Sequence, residues 1–334
     1  MKVCIFGAGA VGGYLATKLA IAGEVTLSVV ARGAHAEAMS REGIRLRTPS
    51  GELVGHPVCV TESPAQLPQQ DIVLVTVKVG AQPAVARAVR EMLSPEGCAV
   101  FASNGVPWWW KYATDHPASL PLLDPAGELW NTLTPARALG CVVYSANEVV
   151  APGVVRHLGN NRWVLGEPDG TITPRLAAVA ALLSRAGVNA VASADLRTEI
   201  WAKLLRNASI NSLCALTRLA VDGLAEDPDL LAQAQALIAD IEVVARSQGV
   251  ELGSHVAAAR EQLTRGGAEG GAPPVKGLRP SMLQDVLAGR PLEVEAIVGQ
   301  VQALAREAGV ACPAIDAVLP LLRGLDRGLR VRAG

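Results

Sequence analysis

The sequence predicts an α/β protein in which an N-terminal Rossmann-type dinucleotide-binding domain, residues 1–194, is followed by an all-helical C-terminal domain, residues 195–334. Three observations predict it. A short apolar run, Lys2 to Phe6, leads directly into Gly7-Ala8-Gly9-Ala10-Val11-Gly12 and then into a helical stretch. Asp71 to Val77 is an apolar run of the kind that lies inside parallel sheets, covered on both faces. From about residue 195 onward the apolar spacing is helical to the end.

Bulk properties agree. A chain of 334 residues is too long for one ordinary core, so two domains are expected. Half of the residues are apolar but only 3% are aromatic, which suits tightly packed helices on a sheet. A net charge of −1 gives no broad basic field for nucleic acid or an anionic membrane. There is no apolar run of about 18 residues, and Met1-Lys2 passes straight into a strand, so neither a membrane span nor a signal peptide is expected. The six cysteines are scattered without C-x-x-C spacing and read as reduced packing residues of a cytoplasmic protein. The five histidines lack zinc-binding spacing, and no metal site is expected.

Taken in order, the glycine run opens a helix over Tyr14 to Ala22 that Gly23 closes. Placed after a strand and before a helix, such glycines allow a tight turn and close backbone approach, and the helix N-terminus receives a pyrophosphate. Val25 to Val30 is the second strand. NAD-preferring enzymes usually carry a carboxylate about 20 residues past the glycines; here the strand ends Val29-Val30-Ala31-Arg32. Arg32 reads as a partner for the 2′-phosphate of NADP(H), against the plainer alternative of a surface arginine. The strand ending at Val77 places Lys78 where open α/β sheets bind ligands, and Ala99 to Ala102 places Asn104 equivalently. Asn104-Gly105 also suits a simple turn.

Pro107 to about 140 is loop-like and contains Trp108-Trp109-Trp110, which could form a lid, an oligomer contact or packing beneath the loop. Val142 to Val150, Val154 to His157 and Arg162 to Leu165 read as antiparallel strands, the last two joined across Gly159-Asn160-Asn161. A helix over Pro174 to Ala186 and a strand over Asn189 to Ala192 complete the first domain. The second opens on a largely apolar helix from about Asp195 to Leu216, on which Glu199, Lys203, Asn207 and Asn211 recur every fourth residue. That spacing puts them on one stripe, each roughly 6 Å beyond the last. A buried helix with such a stripe must pair it internally or offer it to a ligand. Helices after Asp227-Pro228, over Ser254 to Leu263, up to Ala308 and from Pro313 follow, with a Gly/Pro-rich loop at 266–274 whose glycines would permit a hinge.

These residues resemble the ketopantoate reductase family (2-dehydropantoate 2-reductases) over nearly the whole chain. The resemblance rests on Gly7-x-Gly9-x-x-Gly12, Lys78, Asn104-Gly105, the stripe from Glu199 and Trp201 through Lys203 and Asn207 to Asn211, and Ser281-Met-Leu-Gln-Asp285 followed by Glu293. It implies NADPH-dependent reduction of ketopantoate to pantoate, for pantothenate and coenzyme A synthesis. It implies Lys203 as general acid, with Glu293 pairing with it or positioning it. Asn207, Asn211 and Ser281 are implied to hold the substrate, and Asn104 and Lys78 to lie at the junction of cofactor and substrate. A fixed ammonium suits the charge that hydride transfer builds on a carbonyl oxygen. Many relatives carry Lys-Thr before the Ser-Met-Leu-Gln-Asp run, where this chain has Arg279-Pro280, and the tryptophan stretch is longer here than in compact members. A reductase of another 2-oxo acid, or a non-catalytic NADP(H)-binding regulator on the same fold, are the alternatives. The apolar helical domain makes a homodimer plausible.

Overall fold

The apolar N-terminal run forms β1 (Lys2–Phe6), and the glycine turn feeds α1 (Ala10–Ala22), which begins four residues earlier than its apolar pattern suggests. The computed structural model describes residues 1–265 and 276–333, and the chain divides into two units, Met1–Leu196 and Arg197–Gly334. The glycines at 266, 267, 270 and 271 expected to permit a hinge lie outside the described residues. Among the described residues, no helix is long and apolar enough to cross a membrane.

The first unit continues with β2 (Thr26–Val30), α2 (Gly33–Glu42), β3 (Ile44–Thr48), β4 (Gly51–Gly55), β5 (Cys59–Thr61) and β6 (Gln70–Val75). It then runs through α3 (Gln82–Met92), β7 (Leu93–Ala102), β8 (Ala138–Ala151), β9 (Val154–Gly166), α4 (Pro174–Arg185) and β10 (Asn189–Ala192). The strands lie in the order β4-β3-β9-β8-β7-β6-β1-β2-β5, with β10 beside β9. From β5 through β2, β1, β6 and β7 to β8 every pairing is parallel, the dinucleotide-binding order of a Rossmann sheet. Past β8 the sheet is mixed: β8–β9 and β3–β4 are antiparallel, while β9 runs parallel to β3 and β10. Its long strands and the β3–β4 hairpin curl over α1, so that helix is covered on both sides. Tyr14 stacks on Trp163 with ring centroids 5.7 Å apart, Gly13 faces Val155, and Gly55 faces Thr17 and Ala20. This explains a helix with almost no polar face: Tyr14, Leu15 and Leu19 are fully buried, each contributing about 1.5–3 kcal/mol.

One expectation for this unit is corrected. Val154 to His157 and Arg162 to Leu165 are parts of one strand, β9, and not two arms of a hairpin. Pro152-Gly153 makes the reversal, and Gly159-Asn160-Asn161 forms a bulge: Tyr144 pairs with Arg162 but Ala146 with Gly159, so Asn160 and Asn161 together oppose Ser145. For the tryptophans, the structure decides among the three open alternatives. Trp108, Trp109 and Trp110 are each 1% exposed, with Trp108 edge-on to Phe101 and Trp109 filling the space left by Gly140. They are packing residues beneath the loop.

The second unit contains α5 (Leu196–Asn207), α6 (Ile210–Thr217), α7 (Val221–Ala225), α8 (Pro228–Ser247), α9 (Gly253–Thr264), α10 (Ser281–Leu287), α11 (Gln300–Glu307) and α12 (Pro313–Ala333). Helix α8 is the hub, touching α6, α7, α9, α11 and α12. Asp227 caps it, accepting from the backbone N–H groups of Asp229 and Leu230 at 3.0 and 3.1 Å. The single helix expected over 195–216 is two, α5 and α6, broken at Ala208-Ser209. There the Ser209 hydroxyl donates to the Leu205 carbonyl and the Ser212 hydroxyl to that of Asn207, and such side-chain bonds bend the backbone ladder.

All six cysteines are free thiols. Burial pushes Cys4 and Cys214 up to about 12, and Cys98 and Cys312 up to about 11. Maleimide labelling of the native protein, read by intact mass, is therefore expected to modify only the half-buried Cys59 quickly. The other thiols react once denaturant is added.

Candidate active site

Parallel strands deliver their C-terminal ends to one edge, and most of the first unit's candidate residues stand along it. Reading across the sheet, β5 is followed by Glu62, β2 by Ala31 and Arg32, β1 by the glycine turn, β6 by the segment that reaches Lys78 and β7 by Ser103 and Asn104. Strand order reverses between β1 and β6, the point at which open α/β sheets bind ligands. Lys78 is exposed and Asn104 half-buried, and the register of Val75 opposite Phe101 places both at one level. Gly105 takes φ +86°, so the Asn-Gly pair is also a turn, one that leaves Asn104 at the edge.

The three glycines of the fingerprint answer to different demands. Gly7 has φ +101°, and a Cβ there would lie 2.6 Å from Val77 Cγ1, so both conformation and space require glycine. A Cβ on Gly12 would sit well inside contact distance of the Gly7 carbonyl oxygen and of Thr76 Oγ1, which donates to that carbonyl. Gly9 differs. It has ordinary φ and ψ of −68° and −157°, and a Cβ there would meet nothing within 4 Å. No part of the protein requires glycine at position 9, whereas a pyrophosphate seated against the open N–H groups of α1 would. Ala8, Ala10 and Val11 complete the turn, and no side chain caps α1. The residues present therefore fit a dinucleotide.

Two residues of this edge escaped sequence reasoning. His35 braces the turn: its Nδ1 accepts from the Gly153 N–H at 2.8 Å, so Nε2 carries the proton and donates to the Ala8 carbonyl at 2.6 Å. A lone histidine on a short helix gives no signal of that kind. Glu62 is the second. No carboxylate follows β2, but Glu62 stands just past the neighbouring strand β5, and its Oε1 accepts from the Gly33 N–H at 2.7 Å. A three-residue strand is too short to announce itself, although Glu62 directly follows it.

The second unit holds the other set. On α5, Trp201, Leu204 and Leu205 are buried while Glu199 and Lys203 are half-buried. Asn207 and Asn211, each 9% exposed, stay in register across the helix break, Asn211 Nδ2 donating to Asn207 Oδ1 at 3.0 Å. That bond uses one acceptor and one donor. The Asn207 amide NH2 and Asn211 Oδ1 make no hydrogen bond with any described residue, which leaves one donor group and one acceptor over from the pair. Ser281, exposed, is the first residue of α10, which packs on α6, the helix of Asn211. Pro280 is the N-cap of α10 and provides no side-chain cap, so the bond that a Thr hydroxyl makes to the first turn at such a position is absent here. Glu293 is half-buried and stands just before a π turn, Glu295–Gly299. Arg323 holds that turn through paired bonds to Glu295, at 2.8 and 2.7 Å, and the missing Cβ of Gly299 makes room for the carboxylate.

Comparison with known proteins agrees along the whole chain. The profile of the family described as ketopantoate reductase PanE/ApbA matches residues 3–170, and that of its C-terminal domain matches 195–326. A 2-dehydropantoate 2-reductase of Mesorhizobium japonicum is 38% identical over 333 residues, covering 98% of this chain and 99% of the relative. The crystal structure of a PanE/ApbA family ketopantoate reductase from Ralstonia eutropha JMP134 superposes with a TM-score of 0.83 at 27% identity, covering 99% of this chain and 100% of that one. D-mandelate dehydrogenase, solved with NADH and anilino(oxo)acetate, shares the fold at a TM-score of 0.81 and 19% identity, with 99% and 100% of the two chains covered.

Proposed function

The chain belongs to the ketopantoate reductase family, and from that premise we propose that it reduces ketopantoate to pantoate with NADPH, using Lys203 as general acid. The observation that carries this reading is the stripe of half-buried Lys203 and the buried Asn207–Asn211 amide pair along α5 and α6. The amide donor of Asn207 and the acceptor of Asn211 that this pairing leaves over are the groups a small oxygen-rich acid would use. In this reading the N–H groups at the start of α1 take the pyrophosphate, Arg32 takes the 2′-phosphate, and Lys78 and Asn104 serve the nicotinamide end. The bound nicotinamide supplies the hydride. Lys203 stabilises the charge that gathers on the substrate carbonyl oxygen and delivers the proton to it. Asn207, Asn211 and Ser281 hold the carboxylate and hydroxyl, and Glu293 opposes the cost of taking the ammonium out of water. The product serves pantothenate biosynthesis.

Following NADPH absorbance with ketopantoate and a small panel of other 2-oxo acids tests the assignment. Ketopantoate is expected to give the highest kcat/KM. A better rate with another acid keeps the chemistry and moves the substrate. Arg32→Ala is expected to weaken NADPH binding roughly ten- to a hundredfold, the loss of a charge-assisted bond, and to leave NADH nearly unchanged. Equal effects on the two would remove Arg32 from the phosphate site.

A further inference from the structure

Arg32 and Glu62 leave adjacent parallel strands at the same level. Val30 pairs with Thr61, and the Ala31 N–H donates to the Thr61 carbonyl at 3.1 Å, so the residues that follow each strand are held side by side. They carry opposite charges, yet no ion pair joins them. The Arg32 side chain makes no bond to any described residue. The Glu62 carboxylate spends Oε1 on the Gly33 N–H at 2.7 Å, and Oε2 bonds no described residue. One guanidinium is thus open to a phosphate, and beside it one carboxylate oxygen is open to a hydroxyl. The carboxylate also occupies the first N–H of α2, a donor that would otherwise face an anion.

We propose that Glu62 is a specificity-determining residue for the cofactor, restraining the NADPH preference that Arg32 confers and keeping NADH as an accepted ligand. The inference rests on the reading of Arg32 as the 2′-phosphate partner. A 2′-phosphate drawn to Arg32 meets the negative charge of Glu62, which raises its binding free energy, whereas the 2′-hydroxyl of NADH can donate to the free oxygen. The balance of the two side chains, and not either alone, sets the discrimination.

Glu62→Gln tests this cleanly, because the amide oxygen still accepts from the Gly33 N–H and only the charge is lost. Dissociation constants of 2′-phospho-ADP-ribose and ADP-ribose, measured by calorimetry, read the subsite without turnover, and NADPH and NADH are measured beside them. In E62Q the phosphorylated ligands are expected to bind about three- to tenfold more tightly, the size of a nearby unit charge in a water-exposed site. The unphosphorylated ligands should hold or weaken. The gain should shrink as salt is raised. A ratio of phosphorylated to unphosphorylated affinity that stays within twofold of wild type overturns the proposal. So does a parallel change of both ligands with a lowered melting temperature, which would make Glu62 a helix cap and nothing more. Arg32→Ala is measured in the same series: a ratio it leaves unmoved refutes the reading of Arg32, while E62Q still reports on Glu62 independently.

Discussion

Lys203→Ala is expected to lower turnover by about 10²–10⁴-fold while leaving NADPH affinity and melting temperature near wild type. The expectation follows from where the lysine stands. It is half-buried on α5 beside Trp201, Leu204 and Leu205, which are buried and carry the packing of that helix. Removing the ammonium leaves those buried contacts in place. For the reaction the loss is double, since the group that offsets the growing charge on the carbonyl oxygen is also the one that delivers the proton. Lys203→Arg restores the charge but not a readily given proton, and should recover substrate binding more than turnover. Asn207→Ala should act mainly on KM, because its free amide donors are assigned to holding the substrate. Turnover of Lys203→Ala within a few fold of wild type would refute the general-acid role.

The second large effect separates two glycines only three residues apart in sequence: Gly9→Ala should fold as wild type yet lose nucleotide affinity by roughly ten- to a hundredfold. Gly12→Ala should lose both. At Gly9 the backbone is ordinary and the space around a Cβ is open, so any penalty must come from a ligand that needs that space. At Gly12 the added carbon collides with the Gly7 carbonyl and Thr76 Oγ1, and α1 cannot stay where it is. Overpacking of this kind costs about 1–3 kcal/mol, seen as a lower melting temperature. Thermal melts with and without NADPH separate the cases. Unchanged NADPH affinity in Gly9→Ala would disprove the account of the open turn.

Much of this was legible because it is local or periodic. Gly7, Gly9 and Gly12 state a turn within six residues, and the strand before and helix after them complete its meaning. Lys203, Asn207 and Asn211 could be placed on one stripe because a helix repeats, and the spacing survives the break at Ala208-Ser209, across which the two amides bond. The break itself was hidden, since it depends on which carbonyl a serine hydroxyl chooses. Gly159-Asn160-Asn161 looked like a turn because the same residues tolerate a bulge, and only the opposing strand distinguishes the two.

The sequence by itself determined the α/β class, the nucleotide turn and the polar stripe, because each is encoded in residues a few positions apart whose backbone geometry is nearly independent of the rest. Tertiary structure alone decided what stands beside what. It set Glu62 next to Arg32 across two strands and tied His35 to both Ala8 and Gly153. It also buried three tryptophans that could have faced solvent. Those outcomes follow from strand order and the curl of the sheet over α1, which are set by the burial of the whole core and not by any short stretch of chain.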